Sequence, residues 1–115
     1  MHYIDGCVIP VATANKQQYL DHALIAAAVF KEYGALKVVD CWGDDVPDGK
    51  RTSFPMAVKC EPHETVVFSW IVWPSRQVRD AGMAKVMSDS RLRSVDMPFD
   101  GKRMIFGGFQ MVLDA

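Results

Sequence analysis

Thr65-Val66-Val67-Phe68-Ser69-Trp70-Ile71-Val72-Trp73 is the stretch on which the fold turns. Nearly every residue in it is β-branched or aromatic, the composition of a strand. Val66, Phe68, Trp70 and Val72 fall on one side of such a strand. Thr65, Val67, Ser69, Ile71 and Trp73 fall on the other. A strand that faced water would alternate apolar with polar; this one is apolar on both parities, which predicts burial on both faces.

Working outward, residues 3–12 form a first strand carrying Tyr3, Ile4, Cys7, Val8, Ile9 and Val11, with Pro10 marking an edge or a departure from the sheet. A helix follows: Asn15 and Gln18 have capping-box spacing, Leu20, Ala23, Leu24, Ala27 and Phe30 recur at helical intervals, and Gly34 ends it. Leu36–Gly43 reads as a second strand, followed by an acidic loop through the turn signal Pro47-Asp48-Gly49. Met56–Cys60 reads as a short strand. On the far side of 65–73, Ser75 caps a second helix running to about Met87, in which Gly82 implies close packing. Residues 88–101 read as a loop with one helical turn around Arg91–Ser94, and Lys102–Leu113 as the last strand. The order β-α-β-(β)-β-α-β predicts a single α+β domain spanning 1–115, a ferredoxin-like β-α-β-β-α-β sandwich.

Two helices cover one face of a four-stranded sheet. The apolar second face then needs a partner, and a two-fold copy of the same chain packed sheet to sheet is the simplest one. A homodimer is therefore expected.

Composition narrows the function classes. The chain has 115 residues, half of them apolar, and 13 Lys+Arg against 14 Asp+Glu, a formal net charge of −1. That size supports a core without disulfide or metal staples. That charge offers no general pull toward nucleic acid or an anionic membrane. Residues 76–103 are the more basic part, with seven basic and four acidic side chains, which reads as a solvated helix surface. No apolar run approaches the length of a membrane span. Cys7, Cys41 and Cys60 are odd in number and lack C-x-x-C spacing, so neither zinc nor a disulfide framework is indicated and a reducing cytoplasm fits. The start of the chain carries no basic region of a signal peptide.

Several polar residues sit in unusual places. Asp5 and Asp40 fall inside strands, where a carboxylate is costly unless paired, hydrated or protonated; a desolvated one is a usable general base. They are the candidate catalytic residues, against the plainer reading of ion pairing or exposure at a sheet edge. Trp42 and Trp73 lie at strand ends, where a pocket opens. Ser69 is a polar point in an apolar strand and has no G-x-S-x-G elbow, so it is a pocket donor rather than a nucleophile. Arg76 and Arg79, beside Trp73, have the chemistry to clamp an acidic ligand, with a surface salt bridge as the alternative. Trp42, Ser69, Trp73 and Arg76 are thus the candidate pocket set. Asp44, Asp45 and Asp48 lack the calcium-loop register, and His2, His22 and His63 lack ligand spacing, so no metal is assigned. No cofactor is called for.

Six segments together carry a resemblance: Tyr3-Ile4-Asp5-Gly6, Gly34-Ala35-Leu36, Gly43-Asp44-Asp45-Val46-Pro47-Asp48-Gly49-Lys50, Thr52-Ser53-Phe54-Pro55, Glu64-Thr65-Val66-Val67-Phe68-Ser69-Trp70 and Met97-Pro98-Phe99-Asp100-Gly101-Lys102-Arg103-Met104-Ile105. The chain resembles the uncharacterised bacterial family called domain of unknown function 1428, departing from it by a slight shortening between Arg93 and Met97. The resemblance implies the dimeric α/β barrel superfamily and implies no activity. That superfamily includes cofactor-free monooxygenases, haem-degrading enzymes and lactone isomerases, but a shared fold does not transfer a reaction. Some family members carry a label tied to signal-recognition-particle RNA; these residues show no basic stripe interleaved with base-stacking aromatics.

Two functions follow as expectations. One is a small-molecule pocket between sheet and helices, lined by Asp5, Asp40, Trp42, Ser69 and Trp73, with an Asp as base in a cofactor-free reaction. The other is a non-catalytic homodimeric interaction or stress-related module.

Overall fold

A computed structural model describes residues 1–93 and 96–115 of the chain. Four strands, β1 (Tyr3–Ala12), β2 (Lys37–Trp42), β3 (Glu64–Trp73) and β4 (Ile105–Gln110), form one antiparallel sheet in the order β2-β3-β1-β4. The apolar stretch at 65–73 is thus an inner strand, as its two-sided apolar character requires. Helices α1 (Lys16–Glu32) and α3 (Arg76–Ser88) pack against one face of the sheet, with short helices α2 (Phe54–Ala57) and α4 (Ser90–Arg93) in the connections. The architecture is mixed α+β. Among the described residues no helix is long and apolar enough to cross a membrane.

The register fixes which parity meets the helices. Tyr3 pairs with Trp73, Asp5 with Ile71, Cys7 with Ser69 and Ile9 with Val67. These residues face α1 and α3. Ile9, Val11 and Val67 close around Tyr19 of α1, while Tyr3, Ala35 and Trp73 close around Phe30 and Met83. Gly82 of α3 lies against this second cluster, and a Cβ there would stand 2.5 Å from the Tyr33 carbonyl oxygen and 2.6 Å from Trp73 Cζ3. Close packing explains that glycine. Gly34 adopts φ +114°, ending α1 in the backbone region that disfavours a side chain.

The opposite parity builds three rows across the sheet, apolar but for Lys37 at the end of the last: Cys41-Phe68-Val8-Ile105, Val39-Trp70-Gly6-Gly107, and Lys37-Val72-Ile4-Phe109. The Phe109 ring lies on Gly6 and Gly107. The segment after β2 covers one end of this face, where Val58 and Val46 pack on Val8 and Val66. The rest is open, with Phe68 45% and Phe109 59% exposed.

Three local readings change. Met56–Cys60 is not a strand: Ser53 Oγ accepts from the Met56 N–H at 3.1 Å and Pro55 occupies the first turn, so a helix starts at Phe54 instead. Asn15 makes no side-chain cap; a 3-10 turn at Thr13–Asn15 leads into α1. The last strand starts at Ile105 rather than Lys102, because Asp100 binds the Lys102 N–H and the Arg103 guanidinium and folds 100–103 into a turn. The helical turn expected around Arg91–Ser94 is present as α4, Ser90–Arg93; position 94 lies outside the described residues. Ser75 does cap α3, accepting from the Val78 N–H at 3.2 Å. Pro10 lies beyond the reach of β4, whose pairing with β1 ends at Val8, so the missing N–H falls where β1 has a neighbour on one side.

Candidate functional site

The two sheet aspartates share a face and meet different fates. Asp5 is matched almost completely. Arg79 of α3 donates to it through Nη2 at 2.8 Å and Nε at 3.1 Å, and Trp73 donates Nε1–H at 2.9 Å. The same guanidinium reaches Asp80 at 2.9 Å and lies over the Tyr3 ring at 5.2 Å. With side-chain exposures of 13% and 22%, Asp5 and Arg79 form a nearly dry ion pair whose lone pairs and protons are taken up.

Asp40 is different. It lies in a row that runs Asp40-Ser69-Cys7 across β2, β3 and β1 on the helix face. Its hydrogen-bond donor among the described residues is the Tyr19 hydroxyl of α1, 2.5 Å from Oδ1. Tyr19 is 4% exposed, and burial together with the adjacent carboxylate pushes its phenol far above the usual range. Burial raises the Cys7 thiol to about 11 against a hydrogen bond from Ser69, with Asp40 and Asp5 adding to the rise. Neither group ionises near neutrality.

His22 stands three residues after Tyr19 on α1, on the same helix face. Its Nδ1 is buried with no hydrogen-bond partner among the described residues. Burial lowers its pKa from 6.5, while the field of Asp40 pulls the other way. A neutral imidazole with an idle nitrogen thus sits near a carboxylate with one donor. Rings enclose the pair: Tyr19 lies 6.3 Å from Trp42 and 5.9 Å from Phe99, and Phe99 lies 6.2 Å from His22. Lys16 Nζ sits 5.4 Å over the Trp42 ring.

The residues singled out from sequence therefore separate. Asp40, Ser69 and Trp42 lie around Tyr19. Asp5 and Trp73 lie in the neighbouring cluster, where Trp73 is fully buried. Arg76 is a surface residue, 70% exposed and 3.7 Å from Asp80. Tyr19, Cys7, His22 and Phe99 were not read as partners of Asp40. The available signal was the Tyr19/His22 spacing, which puts both on one helix face.

On the other side of the sheet, a shallow groove of about 240 Å³ is lined by Cys41, Phe54, Val66 and Phe68 among others. A larger open depression runs between the loop at Asp44–Asp48 and the turn at Glu61–Glu64. Among the described residues no three His, Cys, Asp or Glu side chains converge to hold a metal ion.

These features define a two-layer α+β protein with a polar cluster between sheet and helices. The chain belongs to the family described as Protein of unknown function (DUF1428), whose model matches residues 2–101. It is 55% identical over 116 residues to the uncharacterized protein YbaA of Escherichia coli (strain K12), covering 99% of each chain. The YbaA proteins of Escherichia coli O157:H7 and Shigella flexneri match it to the same extent.

Proposed function

We propose that this protein is a homodimeric small-molecule-binding protein whose ligand site is the Tyr19–Asp40–His22 cluster, with Asp40 placed to accept a proton in a cofactor-free reaction. The observation that carries this reading is the contrast between the two aspartates. Asp5 is neutralised by Arg79 and Trp73, as a structural carboxylate should be. Asp40 lies half-buried on the same face with one hydroxyl donor, and the nearby His22 Nδ1 is buried with no hydrogen-bond partner among the described residues. Buried polar groups left short of partners are costly and mark functional sites. Asp40 accepts the proton, Tyr19 holds the carboxylate in place, His22 offers a second hydrogen-bonding point, and Trp42 and Ser69 border the site. Asp5 and Trp73 support the adjoining wall, and Arg76, exposed beside Asp80, lies outside the site.

The strand order and the placement of both helices on one face support a ferredoxin-like domain over 1–115. The three largely apolar rows on the other face support a second copy packed sheet to sheet, as in dimeric α/β barrels. The free cysteines suit a cytoplasmic location.

The test is a thermal-shift screen of small metabolites against the wild type and Asp40→Asn. Ligands that stabilise the wild type and lose their effect in the variant are expected. Hits that stabilise both equally would place the site elsewhere.

A further inference from the structure

The cluster around Asp40 already holds a guest. Three of the four rings in it come from regular elements: Tyr19 and His22 from α1, Trp42 from β2. The fourth, Phe99, comes from the irregular segment before β4 and meets two of the other three edge to face, 5.9 Å from Tyr19 and 6.2 Å from His22. Behind it the chain is anchored. Arg103 forks onto Glu64 with two bonds of 2.7 Å, binds Asp100 at 2.9 Å and donates to the Lys59 carbonyl at 2.9 Å. Phe99 is therefore a ring on a short arm beside a fixed post. It satisfies the shape of the site and none of its chemistry: a phenyl group offers nothing to Asp40 or to His22 Nδ1.

We propose that this site takes a neutral aromatic ring bearing a hydroxyl or amine, which enters by displacing Phe99. The inference rests on the Asp40-centred reading above and narrows its ligand. A ring of phenyl size fits the space Phe99 fills and keeps the edge contacts with Tyr19 and His22. A protic substituent supplies a partner for the buried His22 Nδ1, which has none among the described residues, and a second donor to Asp40 beside the Tyr19 hydroxyl. Asp40 is the acidic residue tied to Tyr19 beside this space, and the neighbouring thiol and phenol stay protonated at neutral pH. An anionic ring such as benzoate would meet a carboxylate without a cation to offset it; Lys16 is engaged over Trp42.

The experiment is an NMR titration of the full chain with phenol, toluene and benzoate, reading Phe99, Tyr19 and His22 ring signals in the wild type, Asp40→Asn, Phe99→Ala and the milder Phe99→Leu. Phenol is expected to shift these three rings saturably and to bind roughly tenfold more tightly once Phe99 is trimmed. Toluene and benzoate should bind roughly tenfold more weakly than phenol in the same variant, a preference that Asp40→Asn abolishes. Toluene binding as well as phenol would show a mere cavity, of the kind any trimmed core acquires, and would overturn the proposal. So would phenol shifts confined to other rings, or no tightening in either Phe99 variant. A non-aromatic ligand whose binding depends on Asp40 would sink the ring class and leave the Asp40 site standing; the absence of any Asp40-dependent ligand would sink both.

Discussion

Tyr19 donates its hydroxyl to Asp40 at 2.5 Å, tying the first turn of α1 to the middle of the edge strand β2. Tyr19 is buried against Trp42 and Phe99 and Asp40 is half-buried, so the bond is partly shielded from water. Removing the hydroxyl with Tyr19→Phe leaves the ring contacts with Trp42 and Phe99 in place and strips Asp40 of its donor. The expected loss is about 1–3 kcal/mol, the penalty for an unsatisfied buried acceptor, read from urea midpoints at constant m. A loss below a few tenths would mean that water replaces the hydroxyl, and Asp40 would then be wet rather than poised.

The Asp5–Arg79 pair should behave asymmetrically. Arg79→Met removes the cation and leaves Asp5 with the Trp73 N–H alone, on a face it shares with the core. A cost of about 3 kcal/mol is expected, at the lower end for breaking a buried pair because both side chains keep some exposure. Adding Asp5→Leu to the same chain should restore most of that loss, since two apolar groups no longer strand a charge. If the double variant is no more stable than the single, the pair contributes more than charge matching.

Gly82→Ala tests packing against propensity. In an exposed helix the substitution gains about 1 kcal/mol. Here the new Cβ would meet the Tyr33 carbonyl oxygen at 2.5 Å and the Trp73 ring at 2.6 Å, neither the far end of a flexible chain. A net destabilisation of about 1–3 kcal/mol is expected, seen as a lower melting temperature. An unchanged or higher one would show that α3 can slide away from Trp73.

What could be read from the chain, and what could not, follows from the same geometry. Thr65–Trp73 announced an inner strand because its two parities are both apolar, and Ser75 and Gly34 announced helix ends through residue chemistry that acts locally. The parity facing the helices was illegible for the same reason that the strand was clear: Val67 and Phe68 are equally apolar, and no polar face marks the outside. Asp5 and Asp40 looked alike because their difference lies in partners 74 and 21 residues away, Arg79 and Tyr19. Met56–Cys60 passed for a strand because its helix depends on a cap by Ser53, outside the segment itself.

Stability should fall at both ends of the pH range, by groups that can be told apart. Cys7 ionises near 9 in the unfolded chain and at about 11 in the fold, so the unfolded state gains by losing a proton first. Stability present below pH 9 is lost between 9 and 11, by about 2–3 kcal/mol. Cys7→Ala should shrink the loss that starts at 9 to the part due to Cys60, whose thiol burial also raises, until the raised phenol of Tyr19 takes over near 10. On the acid side, His22 stays neutral in the fold below 6.5, where the unfolded chain is already protonated; stability declines from 6.5 down to its lowered value. Glu64, held low by Arg103, adds a second loss only below 4.5. Denaturant titrations across this range should show His22→Gln flattening the step that starts at 6.5 and no other.

The outer sheet face makes the assembly testable. Phe68 is 45% exposed at the centre of an apolar row, with Phe54 5.8 Å and Trp70 5.5 Å from its ring. Its side chain points away from α1, α3 and the Asp40 cluster, so a charge there should leave these undisturbed. In a sheet-to-sheet dimer, Phe68→Glu places two carboxylates within a dry interface near the two-fold axis, a cost that the pair could not offset. Light scattering after size exclusion is expected to give twice the chain mass for the wild type at micromolar concentration and the single chain mass for Phe68→Glu, with the helical signal in circular dichroism unchanged. A wild type of single chain mass would remove the dimer. A variant that stays dimeric would move the contact from this face to the exposed edge of β2 or β4, since those are the remaining unpaired edges of the sheet.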